Sequence, residues 1–144
     1  MIDITLAFRT LLLESADLTA LVDQRVFSDF LPQSQPSPAV VFGVQTATAF
    51  EGLEGPIGMD QDAMLIDSYG NTRAEANAVA HEVWKQATIT ANLPGTWSGV
   101  YIMGITRRTG TRHTIDRAEA GSDQRRFLST QTLLITYNSL VEVI

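Results

Sequence analysis

Residues able to do acid–base, nucleophilic or metal chemistry are few in this chain, and their spacing suits none of the familiar arrangements. His81 falls on a helical face with Asn77 and Lys85, opposite the apolar Ala76, Val79 and Val83, while His113 stands among arginines. Neither has an assignable nucleophile and orienting group beside it, so both read as surface histidines. Gly95-Thr96-Trp97-Ser98-Gly99 has the outline of a nucleophile elbow, but Trp97 occupies the position that needs serine. It reads as a turn into a strand. Gly52, Gly55 and Gly58 are three apart, which matches neither a dinucleotide nor a P-loop fingerprint. Asp60 and Asp62 begin like a calcium loop, yet Met64, Leu65 and Ile66 follow where oxygen ligands and glycine belong. With 0 Cys there is no thiol nucleophile, disulfide framework or cysteine zinc site. The expectation is a chain that is not an enzyme and takes no cofactor and no metal.

Charge patterning is the more informative signal. Residues 1–106 hold only Arg9, Arg25, Arg73 and Lys85 as cations against 12 carboxylates. Residues 107–126 hold Arg107, Arg108, Arg112, Arg117, Arg125 and Arg126 against Asp116, Glu119 and Asp123. Arginine favours forked pairing with carboxylates or phosphates over loose solvation. This Arg-rich segment reads either as a solvated loop between strands or as a partner-binding patch. The acidic remainder of the same chain is one partner it could meet, so self-assembly through opposite charges is open. The net charge of −6 runs against a surface built to coat nucleic acid.

The 144 residues suit one domain, 1–144. No apolar run reaches the ~18 residues of a membrane span, and MIDITLAFRT lacks a basic signal-peptide start. Assembly inside a cell, away from membranes, is expected. Asp3 can cap a helix whose Ile4, Phe8, Leu11 and Leu12 recur at helical spacing, and Leu18, Leu21 and Val22 suggest one further turn. Val26–Phe30 could be a short strand, ended by Pro32, Pro36 and Pro38. Ala39–Val44 alternates as a strand with Val40, Phe42 and Val44 on one face. The Gly- and Pro-bearing residues 47–62 read as a long loop or an extended hairpin tip. Ala63–Tyr69 returns as a strand, and Thr72-Arg73-Ala74-Glu75 is a capping box for a helix running to about Ala87. Trp97–Thr106 and Phe127–Tyr137 read as two longer strands around an Arg-rich loop near 107–126. This order, without regular alternation, predicts an α+β fold. Its form would be two layers: a mainly antiparallel sheet of about four to six strands, with two helices on one face. The other face would carry Thr130, Thr132, Leu134 and Thr136, either as an assembly contact or as a plain solvated surface.

Three segments, in order, carry a resemblance. They are Leu18-Thr19-Ala20-Leu21-Val22-Asp23-Gln24-Arg25-Val26-Phe27, the Pro-led strand Pro38-Ala39-Val40-Val41-Phe42, and Ala63–Ala76 with its strand, turn and Glu-Ala helix start. Together they resemble the tail-terminator and tail-completion family of long-tailed bacteriophages and phage-derived gene transfer agents. The likeness covers about residues 2–90. It implies a structural virion protein at the head-proximal end of the tail. Such a protein forms a homo-oligomeric ring, expected to be a hexamer, that caps the tail tube protein and stops polymerisation. It also meets the head-side connector, or stopper, protein. DNA would pass through the lumen without specific binding, and an acidic wall suits that passage. Phe50, Leu53 and Ile57 on the 47–62 segment are the expected apolar anchors to a neighbouring ring, and the six arginines of 107–126 the expected inter-subunit contacts. A head-completion adaptor at the same junction, or a binding domain gripping nucleic acid or an acidic ligand, are the alternatives.

Overall fold

The structure, a computed structural model, describes residues 3–32, 36–52, 55–117 and 125–138. For 49–52, 55–58, 110, 114–117 and 125 it describes the backbone. Helix α1 spans Ile4–Leu13, and the Asp3 carboxylate accepts from the amides of Thr5 and Leu6, as a capping residue should. Its buried stripe is Ile4, Ala7, Phe8, Leu11 and Leu12. Helix α2, Ala16–Val22, follows after Ser15, whose hydroxyl accepts from Leu18 N at 3.1 Å. Strands β1 (Val26–Ser28), β2 (Ala39–Gly52) and β3 (Gly55–Gly70) lead to helix α3 (Arg73–Lys85). Strands β4 (Gly95–Trp97), β5 (Val100–Arg117) and β6 (Arg125–Asn138) complete the chain.

These strands form one sheet in the order β1-β2-β3-β6-β5-β4. Every pairing is antiparallel except β1 with β2, so the fold is α+β with a mainly antiparallel sheet. The helices cover one face, where Val40, Phe42, Met64, Ile66, Leu133 and Ile135 join Phe8, Leu11, Val79 and Val83 in a single core. Phe8 meets Phe42 edge-on, with ring centroids 5.1 Å apart. That contact locks α1 onto β2.

Residues 47–62, read as a long loop or an extended hairpin tip, are paired strand, since β2 and β3 carry the ladder out to Gly52 and Gly55. The Arg-rich loop near 107–126 is a correction. Residues 107–117 and 125–126 belong to β5 and β6 and pair down to Arg117 opposite Arg125, which leaves only 118–124, outside the described residues, for the connection. Backbone pairing across two long strands outweighs the polar composition that suggested a loop. Lastly, α3 gives way to a π-helical turn at Gln86–Thr90. There the buried Gln86 donates its amide to Leu11 O at 2.8 Å, serving a carbonyl at the end of α1.

Candidate functional site

Register places the two ribbons. β3 pairs with β6 from Met59–Asn138 to Gly70–Phe127. The β2–β3 ribbon therefore runs past one end of that central pairing, and the β5–β6 ribbon past the other. Phe50 and Ile57 lie in the strands of the first ribbon; their side chains, and Leu53 altogether, are outside what the structure describes. Arg117 and Arg125 face each other in backbone register near the end of the second, and Arg126 stands opposite Asp116.

The arginines do not form one patch. Strand alternation, with register shifts around Arg108, divides them between the two faces. Arg107 turns to the helix side, its guanidinium 5.0 Å from the centre of the Trp84 ring and 3.3 Å from Gln131 Oε1. Gln131 is fully buried and donates to Ala80 O at 2.9 Å, so Arg107 completes a link between β5, β6 and α3. Arg108 and Arg112 turn to the opposite face. There they line a depression of about 360 Å³ floored by Thr130 and Thr132. A second depression, about 260 Å³, adjoins it through Gln45 and Leu65 and is edged by Asp29 and Asp67. One sheet face thus has a basic end on β5 and an acidic end near β1 and β3. Its threonines are partly engaged: Thr130 donates to Asp67 at 2.8 Å, and Gln61 donates to Thr136 at 3.3 Å.

The histidines are both exposed. His81 lies 5.7 Å, centroid to centroid, from Trp84. His113 Nδ1 is 3.2 Å from Ser129 Oγ, the kind of contact a nucleophile and base make. Ser129 is fully buried, however, and gives its proton to Asn77 Oδ1 at 2.8 Å. The pair serves packing between β6 and α3. The Gly95–Gly99 segment is β4 and its turn into β5, with Ser98 and Gly99 at positive φ between the paired Trp97 and Val100. Asp60 and Asp62 sit on the helix-covered side of β3, and Asp62 is buried. Tyr137 donates to Asp62 Oδ2 at 3.1 Å, while Oδ1 has no partner among the described residues. Burial, and secondarily the Asp60 charge, push the Asp62 carboxyl above its ordinary pKa against the opposing Tyr137 donor. Burial likewise raises the Tyr137 phenol, aided by the carboxylate beside it. Among the described residues no group of three or more His, Asp or Glu could hold a metal ion.

Asp29 is a residue the sequence reading did not single out. Its place beside Gly43, at the edge of the sheet, depends on β1 pairing with β2, which local sequence does not announce. The division of the arginines could have been found by counting alternate positions from Ile105.

Comparison with known proteins finds no match among curated proteins. Among solved structures, a chain of the virion of a native gene transfer agent particle superposes with a TM-score of 0.65 at 17% identity, covering 92% of each chain. The gp17 protein of bacteriophage SPP1 gives a TM-score of 0.47 at 19% identity, over 92% of this chain and 85% of that one. The first of these shows a shared fold. The family model described as Tail completion protein gp17 matches residues 7–94, from the middle of α1 to the turn before β4. That span is more than half of the chain, and the chain belongs to the Tail completion protein gp17 family.

Proposed function

We propose that this chain is a non-enzymatic structural protein of a phage-type tail, located in the virion at the head-proximal end of the tail. Copies close into a hexameric ring that caps the tail tube, stops its polymerisation and joins it to the head-side connector. Family membership is the observation that carries this reading. The geometry supports it in two respects. A ring needs two unlike surfaces on each copy, and one sheet face here is basic at one end and acidic at the other. A protein between two neighbours needs reach in two directions, and the β2–β3 and β5–β6 ribbons run past opposite ends of the central strand pairing. In this reading Phe50, Leu53 and Ile57 anchor the first ribbon on an adjacent ring. Arg108 and Arg112 face a neighbouring subunit, and Arg117, Arg125 and Arg126 sit on the second ribbon. DNA crosses the lumen without specific contact, consistent with the net charge of −6.

Electron microscopy of particles made without this gene, and again after its restoration, tests the role. Overlong headless tails that return to uniform length on restoration are expected. Tails of normal length that fail to join heads would move the protein to the connector side of the junction. Normal joined particles would overturn both roles.

A further inference from the structure

The sheet has short strands at both margins, and each protects only part of the long strand beside it. β1 pairs with β2 over Val40–Phe42, and Asp29 N adds one bond to Phe42 O at 2.7 Å. β4 pairs with β5 over Val100–Ile102. Past those points, β2 from Gly43 and β5 from Met103 have no strand on their outer side among the described residues. Val44 is 38% exposed and Met103 40%, so each open edge begins with an uncovered apolar side chain. Stable monomers normally blunt or cover such edges, because unpaired backbone groups recruit other strands.

The two open stretches overlap in height where Gly43–Thr48 of β2 line up with Gly104–Thr109 of β5. Following the registers across the sheet, Val44 lines up with Met64, Leu133 and Arg107, and Thr48 with Gln61, Thr136 and Gly104. Each stretch also has a run free of register shifts, Thr46–Ala49 on β2 and Gly104–Arg107 on β5. The three antiparallel steps from β2 through β3 and β6 to β5 make the two edge strands run in opposite senses. Rotation about a ring axis preserves each strand's sense along that axis. The β5 edge of one copy therefore meets the β2 edge of the next in antiparallel sense, the more stable pairing. Charge agrees, since Arg108 and Arg112 flank the β5 edge and the exposed Asp29 stands beside Gly43 where the β2 edge opens.

We infer that the partner of each open edge is a second copy of this chain, with β5 of one subunit adding to β2 of the next so that the sheets join into one continuous closed wall. The inference rests on the ring reading above and specifies how the ring is made. It differs from a contact through the helices or the ribbon tips, either of which would leave both edges bare.

The absence of native cysteine makes the test direct. Thr46, Thr48, Thr106 and Thr109 are all exposed. The four double variants pair Thr46→Cys or Thr48→Cys with Thr106→Cys or Thr109→Cys. Within one copy three strand spacings, about 14 Å, separate the two edges, too far for a disulfide whose Cα atoms lie within ~7 Å. Oxidation of the full-length protein should give a ladder of covalent oligomers ending at the ring on a non-reducing gel. The parent single variants should stop at dimers. Native mass measurement of the unmodified chain over rising concentration accompanies the gel. Rings by mass with no ladder from any of the four pairs would overturn the edge pairing and leave the ring standing. A chain that stays monomeric throughout would overturn both.

Discussion

Asp62 and Tyr137 show how a single buried carboxyl leaves a mark on the whole stability curve. The Asp62 pKa is raised, chiefly by burial, so the folded state holds this proton more tightly than the unfolded chain does. Its contribution is therefore fully favourable below the ordinary carboxyl value of 3.8 and is lost as pH rises through the higher folded value. Asp3 runs the other way. Its hydrogen bond from Thr5 leads the causes that lower its pKa, so its stabilising share is present above 3.8 and fades as pH falls. Subtracting the pH profile of an Asp62→Asn variant from that of the parent isolates the first effect. The variant's urea midpoint should decline less as pH rises above 3.8. Tyr137→Phe should do the opposite, steepening the decline, because the only donor to the carboxylate among the described residues is gone. Its cost near neutral pH should be about 1.5–3 kcal/mol, the range for a hydrogen bond to a charged group. Parallel pH profiles for all three proteins would show that Asp62 is not the titrating group.

At the junction of β3 and α3 a capping residue and a close approach act together. Thr72 Oγ1 accepts from Glu75 N at 3.1 Å, but the Glu75 carboxylate reaches Asn71 N at 3.3 Å instead of the Thr72 amide of an ideal capping box. Just before them Gly70 ends β3 so near the helix that a Cβ there would lie 2.5 Å from Ala76 N and 3.0 Å from Ala76 Cα. Both contacts are with backbone, so no side-chain rotation relieves them. Gly70→Ala should cost about 3 kcal/mol by overpacking, against about 1 kcal/mol for Thr72→Ala, which loses one cap. Thermal melts of the two variants check the order; equal losses would mean α3 shifts freely. This strand, turn and helix were legible in the sequence because alternation, cap and apolar stripe are local signals. Less legible were the long ribbons. Gly52, Gly55 and Pro56 look like loop residues, and the arginines of β5 look like solvent residues. Pairing with the neighbouring strand of the same hairpin, out to Gly52 opposite Gly55 and Arg117 opposite Arg125, makes them extended, and residue composition alone does not register that pairing. The π-helical turn was hidden for a related reason, since Gln86 is drawn to a carbonyl of α1, 75 positions away.

For the molecule as a whole, the charge asymmetry seen in the sequence survives, but folding divides it. Six arginines close in sequence suggested one basic patch; the sheet sends Arg107 to the core side and Arg108 and Arg112 to the open face. Their substitutions should therefore report on different properties. Arg107→Ala removes the guanidinium over Trp84 and leaves buried Gln131 Oε1 without that donor. It should lower the stability of the fold by about 1–2 kcal/mol. The double variant Arg108→Glu and Arg112→Glu changes two exposed side chains and should leave the monomer melting within about 0.5 kcal/mol of the parent. It should instead abolish the oligomer, because like charges would then face the acidic end of the next copy. Added salt should weaken the parent assembly, as exposed pairs are screened over about 8 Å near physiological ionic strength. Sedimentation at several protein and salt concentrations separates these effects from loss of folding. Oligomers that persist in the double variant would remove the basic end of this sheet face from the contact.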